Sequence, residues 1–151
     1  MNYHIIVGQL PLLVSESKTK AKSRISSPSS VADVCKDMIN MAQESCHVLC
    51  LNAKGDMIKR EMVTLGIADA SLMHPREIFR SAILANASVI VLVHNHPSGY
   101  PTPSAEDIRI TKQMVEAGKI IDIKVLDHVI VSSSGHISMA EQGLVTFNKG
   151  Y

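Results

Sequence analysis

Residues 88–107 read SVIVLVHNHPSGYPTPSAED. The opening run, Ser88 to Val93, is continuously apolar and mostly β-branched after its serine, which predicts a central strand buried on both faces. Pro97, Pro101 and Pro103 then stiffen a loop, and Ser104-Ala105-Glu106-Asp107 opens a helix, with Ser104 suited to the cap and Asp107 to the positive end of the helix. His94 and His96 lie two apart at the tip of an extended strand, so their side chains point to the same side. Asp107, in the first turn of the next helix, offers an oxygen as a third donor. Two imidazoles and one carboxylate leave a fourth position for water, which is the donor set of a catalytic zinc (Zn2+) and not of a closed structural one. Taken singly, each residue is better explained as a cap or a satisfied loop group. As a set, two histidines at strand spacing followed by a capped helix point to a metal.

Working outward, helices alternate with strands. Ser27-Pro28 is a helix start, and Val31, Val34, Cys35, Met38, Ile39 and Ala42 fall on one helical face. Cys46 to Asn52 reads as a strand, Ala53 to Asp56 as a turn, and Met57 to Leu65 as its hairpin partner. A second helix is predicted from His74 to about Asn86, and a third from Ser104 to Ala117, closed by Gly118. Ile120 to Val131 is mostly strand, and His136 to Met139 returns after a turn. Fold class is therefore α/β (α+β), a mixed β-sheet flanked by helices. Upstream, residues 3–14 are strand-like, and residues 15–30 form a Ser-rich stretch with Lys18, Lys20, Lys22 and Arg24 at every second position. That stretch reads as a solvated linker or exposed edge strand, and less well as a basic arm touching phosphates.

With 151 residues, the chain is sized for one domain. Its 46% hydrophobic and 19% charged residues are globular composition, and a net charge of +1 does not support nucleic acid as a partner. No apolar run reaches the ~18 residues needed to span a bilayer, so no membrane association is expected. The N-terminus lacks the features of a signal peptide. Cys35, Cys46 and Cys50 have no paired spacing, which fits core residues in a cytoplasmic protein. His4, His47, His74 and His136 show no ligand spacing. Asp127-His128 lies within an apolar strand, either orienting a ligand histidine or forming a hydrogen-bonded core pair.

The segment from His94 to Asp107 resembles the JAMM pattern of MPN-type metalloproteases, H-x-H-x7-S-x2-D, at His94, His96, Ser104 and Asp107. The wording around it, with Asn95 between the histidines, is similar to the bacterial RadC branch. That similarity runs from about Ser27 to Leu144 and includes Ile25-Ser26-Ser27-Pro28, His74-Pro75-Arg76-Glu77 and Leu126-Asp127-His128. The resemblance implies an N-terminal strand and basic linker over 1–26 and an MPN/JAMM domain over 27–151, with the three-layer MPN/JAB1 (cytidine-deaminase-like) fold. It implies His94, His96 and Asp107 as zinc ligands and water activation for hydrolysis of a peptide or an isopeptide-linked protein. It also implies Glu44 as the catalytic proton carrier and Ser104 as an oxyanion donor. Glu106 is the rival to Glu44, but lies about 100° around the helix from Asp107. The resemblance carries an alternative, a non-catalytic MPN scaffold associated with DNA repair or processing. Against it stands the expectation that the helix-hairpin-helix region of longer members is missing, since only about 27 residues precede the matching segment. Oligomeric state is not legible from these residues.

Overall fold

The computed structural model describes residues 23–66 and 73–147, so the strand-like stretch 3–14 and the first half of the basic stretch 15–30 lie outside it. Within the described residues, β1 (Ser45–Leu51), β2 (Met57–Leu65), β3 (Val89–Asn95), β4 (Lys124–Ser132) and β5 (Gly135–Ser138) form one sheet in the order β2-β1-β3-β4-β5. The sheet is mixed: β3 and β4 are parallel and the remaining pairs antiparallel. A parallel pair needs a crossover, and helix α3 (Ala105–Ile121) supplies it between β3 and β4.

The β-branched run over 88–93 becomes the middle of the sheet. Ile90 and Leu92 face one hydrophobic cluster with Val48 and Cys50, and Val91 and Val93 face another with Leu49 and Leu51. Helix α2 (Pro75–Leu84) and α3 cover the first face through Ile78, Phe79, Ala82, Ile110 and Met114. Helix α1 (Pro28–Val34) and the 3₁₀ segment Lys36–Asn40 cover the second through Val31, Cys35 and Met38. The result is the three-layer arrangement expected, with two buried faces explaining why β1, β3 and β4 lack polar alternation.

Three local expectations are corrected. The helical face running from Val31 to Ala42 is not one helix: α1 stops at Val34, where the Cys35 N–H bonds to both the Val31 and Ala32 carbonyls, and the chain tightens into the 3₁₀ segment. Gly118 does not close α3, which continues to Ile121 and caps with Asp122 in the left-handed region. Gly118 is instead a point of close approach, because a Cβ there would sit 2.4 Å from the Ile123 carbonyl oxygen. Strand β4 accordingly begins at Lys124 and not at Ile120.

One irregularity in β4 matters for the site. Ile90 pairs with Val125 but Val91 pairs with Asp127, so Leu126 is an extra residue, a β-bulge. Without it, alternation from Val125 would turn Asp127 towards α3 and His128 towards α1. The bulge reverses this and places His128 opposite Leu92, on the α3 face.

Candidate metal centre

A loop carrying His96 joins the end of β3 to the start of α3, and all three deliver polar side chains to the same spot. His94 and His96 bring their Nε2 atoms within 2.8 Å of each other. Asp107 brings Oδ1 to 3.6 Å from His94 Nε2 and Oδ2 to 3.7 Å from His96 Nε2. Glu44, just before β1, places Oε1 3.4 Å from His96 Nε2. Glu44, His94 and His96 alone offer three ligand atoms within 4.8 Å of one another, a group able to hold a metal ion. The four residues named from the sequence as ligands and proton carrier are thus brought together.

The outer contacts orient this set. His96 Nδ1 is 2.8 Å from the Tyr100 carbonyl oxygen, which can only accept, so the His96 proton belongs on Nδ1 and its Nε2 lone pair faces the cluster. Ser104 caps α3: its Oγ accepts from the Asp107 N–H, and Asp107 Oδ2 accepts in return from the Ser104 N–H at 2.8 Å. That reciprocal bond fixes the Asp107 carboxylate, so the cap and the candidate ligand are one structure.

Beyond His94 runs a buried chain of contacts. His94 Nδ1 is 2.7 Å from His128 Nε2, His128 Nδ1 is 2.6 Å from Thr111 Oγ1, and Thr111 Oγ1 donates to the Asp107 carbonyl oxygen at 2.6 Å. Of the pair left open by sequence, His128 touches a candidate ligand. Asp127 does something else, accepting from the His128 and Ala140 N–H groups and from the Ser138 hydroxyl at 2.5 Å, which ties β5 to β4.

In the sequence, Asn95 stands out only as a marker of the RadC branch. Its side chain turns away from the histidines and reaches back to the segment bearing Glu44. Oδ1 accepts from the Ser45 N–H and Oγ, each at 2.8 Å, and Nδ2 donates to the Gln43 carbonyl at 3.0 Å. The residues on both sides of Glu44 are therefore pinned to β3. Glu106 binds Arg109 on the exposed side of α3, at 2.6 and 2.8 Å, away from the cluster.

Electrostatics follow the geometry. Burial pushes His94 well below the ordinary histidine range and His128 down to about 4. Burial also raises the Glu44 carboxyl. It would raise Asp107 too, but the imidazoles of His96 and His94 beside it and the Ser104 contacts hold that carboxyl well below the usual range. His96 is raised, chiefly by the Asp107 carboxylate beside it. The cluster therefore offers carboxylate oxygens and imidazole lone pairs around a common point and favours a positive charge there. This donor set fits a metal cation.

The family model for the RadC-like JAB domain matches residues 25–144. This chain belongs to the RadC-like JAB domain family. A UPF0758 protein of Thermotoga maritima is 45% identical over 120 residues, covering 80% of this chain and 54% of that protein. One from Symbiobacterium thermophilum is 50% identical over 109 residues, covering 72% and 47%. One from Methanosarcina barkeri is 40% identical over 141 residues, covering 93% and 60%. The chain thus spans about half the length of these curated RadC-like relatives. The RadC-like match covers every residue of the cluster, from Glu44 to His128. Among the described residues, no helix is long and apolar enough to cross a membrane.

Proposed function

We propose that this RadC-like domain is a zinc-dependent hydrolase of peptide or isopeptide bonds. The observation that carries the reading is the convergence of His94 Nε2, His96 Nε2 and the Asp107 carboxylate at the junction of β3 and α3. His94, His96 and Asp107 would hold the ion. Asp107 is preferred over Glu44 as the third ligand because its two oxygens stand against both imidazoles and its side chain is only 9% exposed, whereas Glu44 stands against His96 and is 29% exposed.

A zinc ion held there supplies Lewis acidity, polarising a carbonyl and lowering the pKa of water towards ~7. Glu44 stands beside that position, and burial raises its carboxyl towards the range in which a group can both take and return a proton. Its role is to accept the proton of the attacking water and deliver it to the leaving amine. Ser104 Oγ spends a lone pair on the cap, and its hydroxyl proton serves the oxygen on which negative charge develops. The buried, unpaired cysteines fit a reducing cytoplasm.

The test is a panel of fluorogenic peptides and isopeptide-linked protein conjugates offered to the zinc-loaded chain. Glu44→Gln is expected to retain zinc and lose about 10²–10⁴ of the rate. Equal cleavage by the variant removes Glu44 from the chemistry. Cleavage of nothing in the panel by zinc-loaded wild type, together with binding to DNA or to a DNA-processing protein, favours the non-catalytic scaffold instead.

A further inference from the structure

The buried chain His94–His128–Thr111–Asp107 is not needed to bring ligands together, yet it joins the two elements that carry them. His94 lies on β3, His128 on β4, and Thr111 and Asp107 on α3. His128 and Thr111 are fully buried, each at 0% exposure. Groups so placed cannot trade a protein partner for water, so every proton in the chain has to be assigned to a bond.

The assignment runs from the end that has no choice. A carbonyl oxygen accepts and never donates, so the Thr111 hydroxyl gives its single proton to Asp107. Thr111 Oγ1 then faces His128 Nδ1 at 2.6 Å with lone pairs only, which requires the His128 proton on Nδ1. In the neutral ring Nε2 is therefore an acceptor, and it sits 2.7 Å from His94 Nδ1, which must donate. Reversing the relay would leave the Thr111 and Asp107 oxygens 2.6 Å apart with no proton between them. We propose that His128 and Thr111 are positioning residues that lock His94 in the tautomer with its proton on Nδ1 and its Nε2 lone pair aimed at the cation site.

This inference rests on the reading of His94 as a ligand, and it makes a distinct claim. With either neutral tautomer open to it, an imidazole spends part of its population with a proton on the coordinating nitrogen, and that fraction cannot bind metal. The relay removes that fraction before the ion arrives. It also anchors the ring through α3, so that the Asp107 backbone and the His94 side chain move together. The Leu126 bulge is what makes it available, since it turns His128 towards α3.

The test uses the full chain labelled with ¹⁵N-histidine, free of metal, and reads the two ring nitrogens of His94 by long-range ¹H–¹⁵N correlation at neutral pH. Zinc affinity is measured in parallel by competition with a chelator. His94 is expected to carry its proton on Nδ1 in the wild type. His128→Gln should preserve both the tautomer and the affinity within about threefold, because its amide can accept from His94 and donate to Thr111. His128→Leu should weaken zinc by about 10- to 100-fold. Thr111→Val should give a mixture of His94 tautomers and an intermediate loss, so the relay remains testable even if the leucine variant does not fold. A wild-type His94 with its proton on Nε2, or equal affinity losses in the glutamine and leucine variants, overturns the proposal. Absence of zinc binding in the wild type would instead defeat the hydrolase reading, while the tautomer measurement would still decide the relay.

Discussion

His47 on β1 and His128 on β4 are alike by several measures. Both are buried, at 8% and 0% exposure, and burial pushes both down to about 4. They lie on opposite faces of the sheet, and there the likeness ends. His47 accepts from Arg60 Nε at 3.0 Å on its Nδ1, while its Nε2 has no hydrogen-bond partner among the described residues. Arg60 is itself committed to the Val34 carbonyl and to both oxygens of Asp37. His128 has a partner on each ring nitrogen, and its chain of contacts leads to two residues whose lone pairs converge. Burial and a depressed pKa are thus properties of a histidine in a core. A site is marked by acceptors gathered without enough protons to share, which among the described residues the α3 face shows.

Removing a group from each face should sharpen this contrast most strongly. Asp107→Ala should lower bound zinc from about one per chain to below about one-tenth, read by mass spectrometry of unchelated protein. His47→Ala should leave the zinc content unchanged and cost only stability. Comparable zinc loss in both would erase the distinction between the faces.

A smaller effect is expected at Asn95, which belongs to neither histidine group but holds Glu44 in place through Gln43 and Ser45. Asn95→Ala should keep zinc and lower kcat by about 10²-fold, since misplacing a reacting group by about 1 Å costs that much. Loss of zinc along with activity would show that Asn95 shapes the ligands and not the proton carrier.

The smallest effect concerns acid stability of the metal-free chain. A histidine near 4 in the folded state and near ~6.5 unfolded takes up its proton first in the unfolded chain. Its stabilisation is complete above about pH 6.5 and is lost as the pH falls towards 4. Denaturant midpoints should therefore fall across that window, and His47→Gln should make the fall shallower by at most about 1.4 kcal/mol per pH unit. An unchanged slope would mean that His47 titrates normally.

Most of this frame is legible in the sequence because it depends on short-range pattern. The run over 88–93 specifies a two-sided strand, His94 and His96 share its period, and Ser104 with Asp107 writes the helix start. What is not legible depends on phase or on distant contact. Alternation along β4 cannot reveal that Leu126 is skipped, so it cannot decide between Asp127 and His128. The grip of Asn95 on Ser45 spans 50 positions and leaves no local trace. Glu44, by its own surroundings an ordinary residue at the end of a helical stretch, is marked only by resemblance. Gly118 looks like a helix stop because glycine also serves close approach, and sequence does not separate the two uses.

The most direct measurement is anomalous diffraction from crystals grown with one equivalent of zinc, recorded on both sides of the zinc absorption edge. One peak is predicted at about 2 Å from the Nε2 atoms of His94 and His96 and from an oxygen of Asp107. Well-ordered crystals with no peak there, or with zinc seated on a different group of residues, would contradict it.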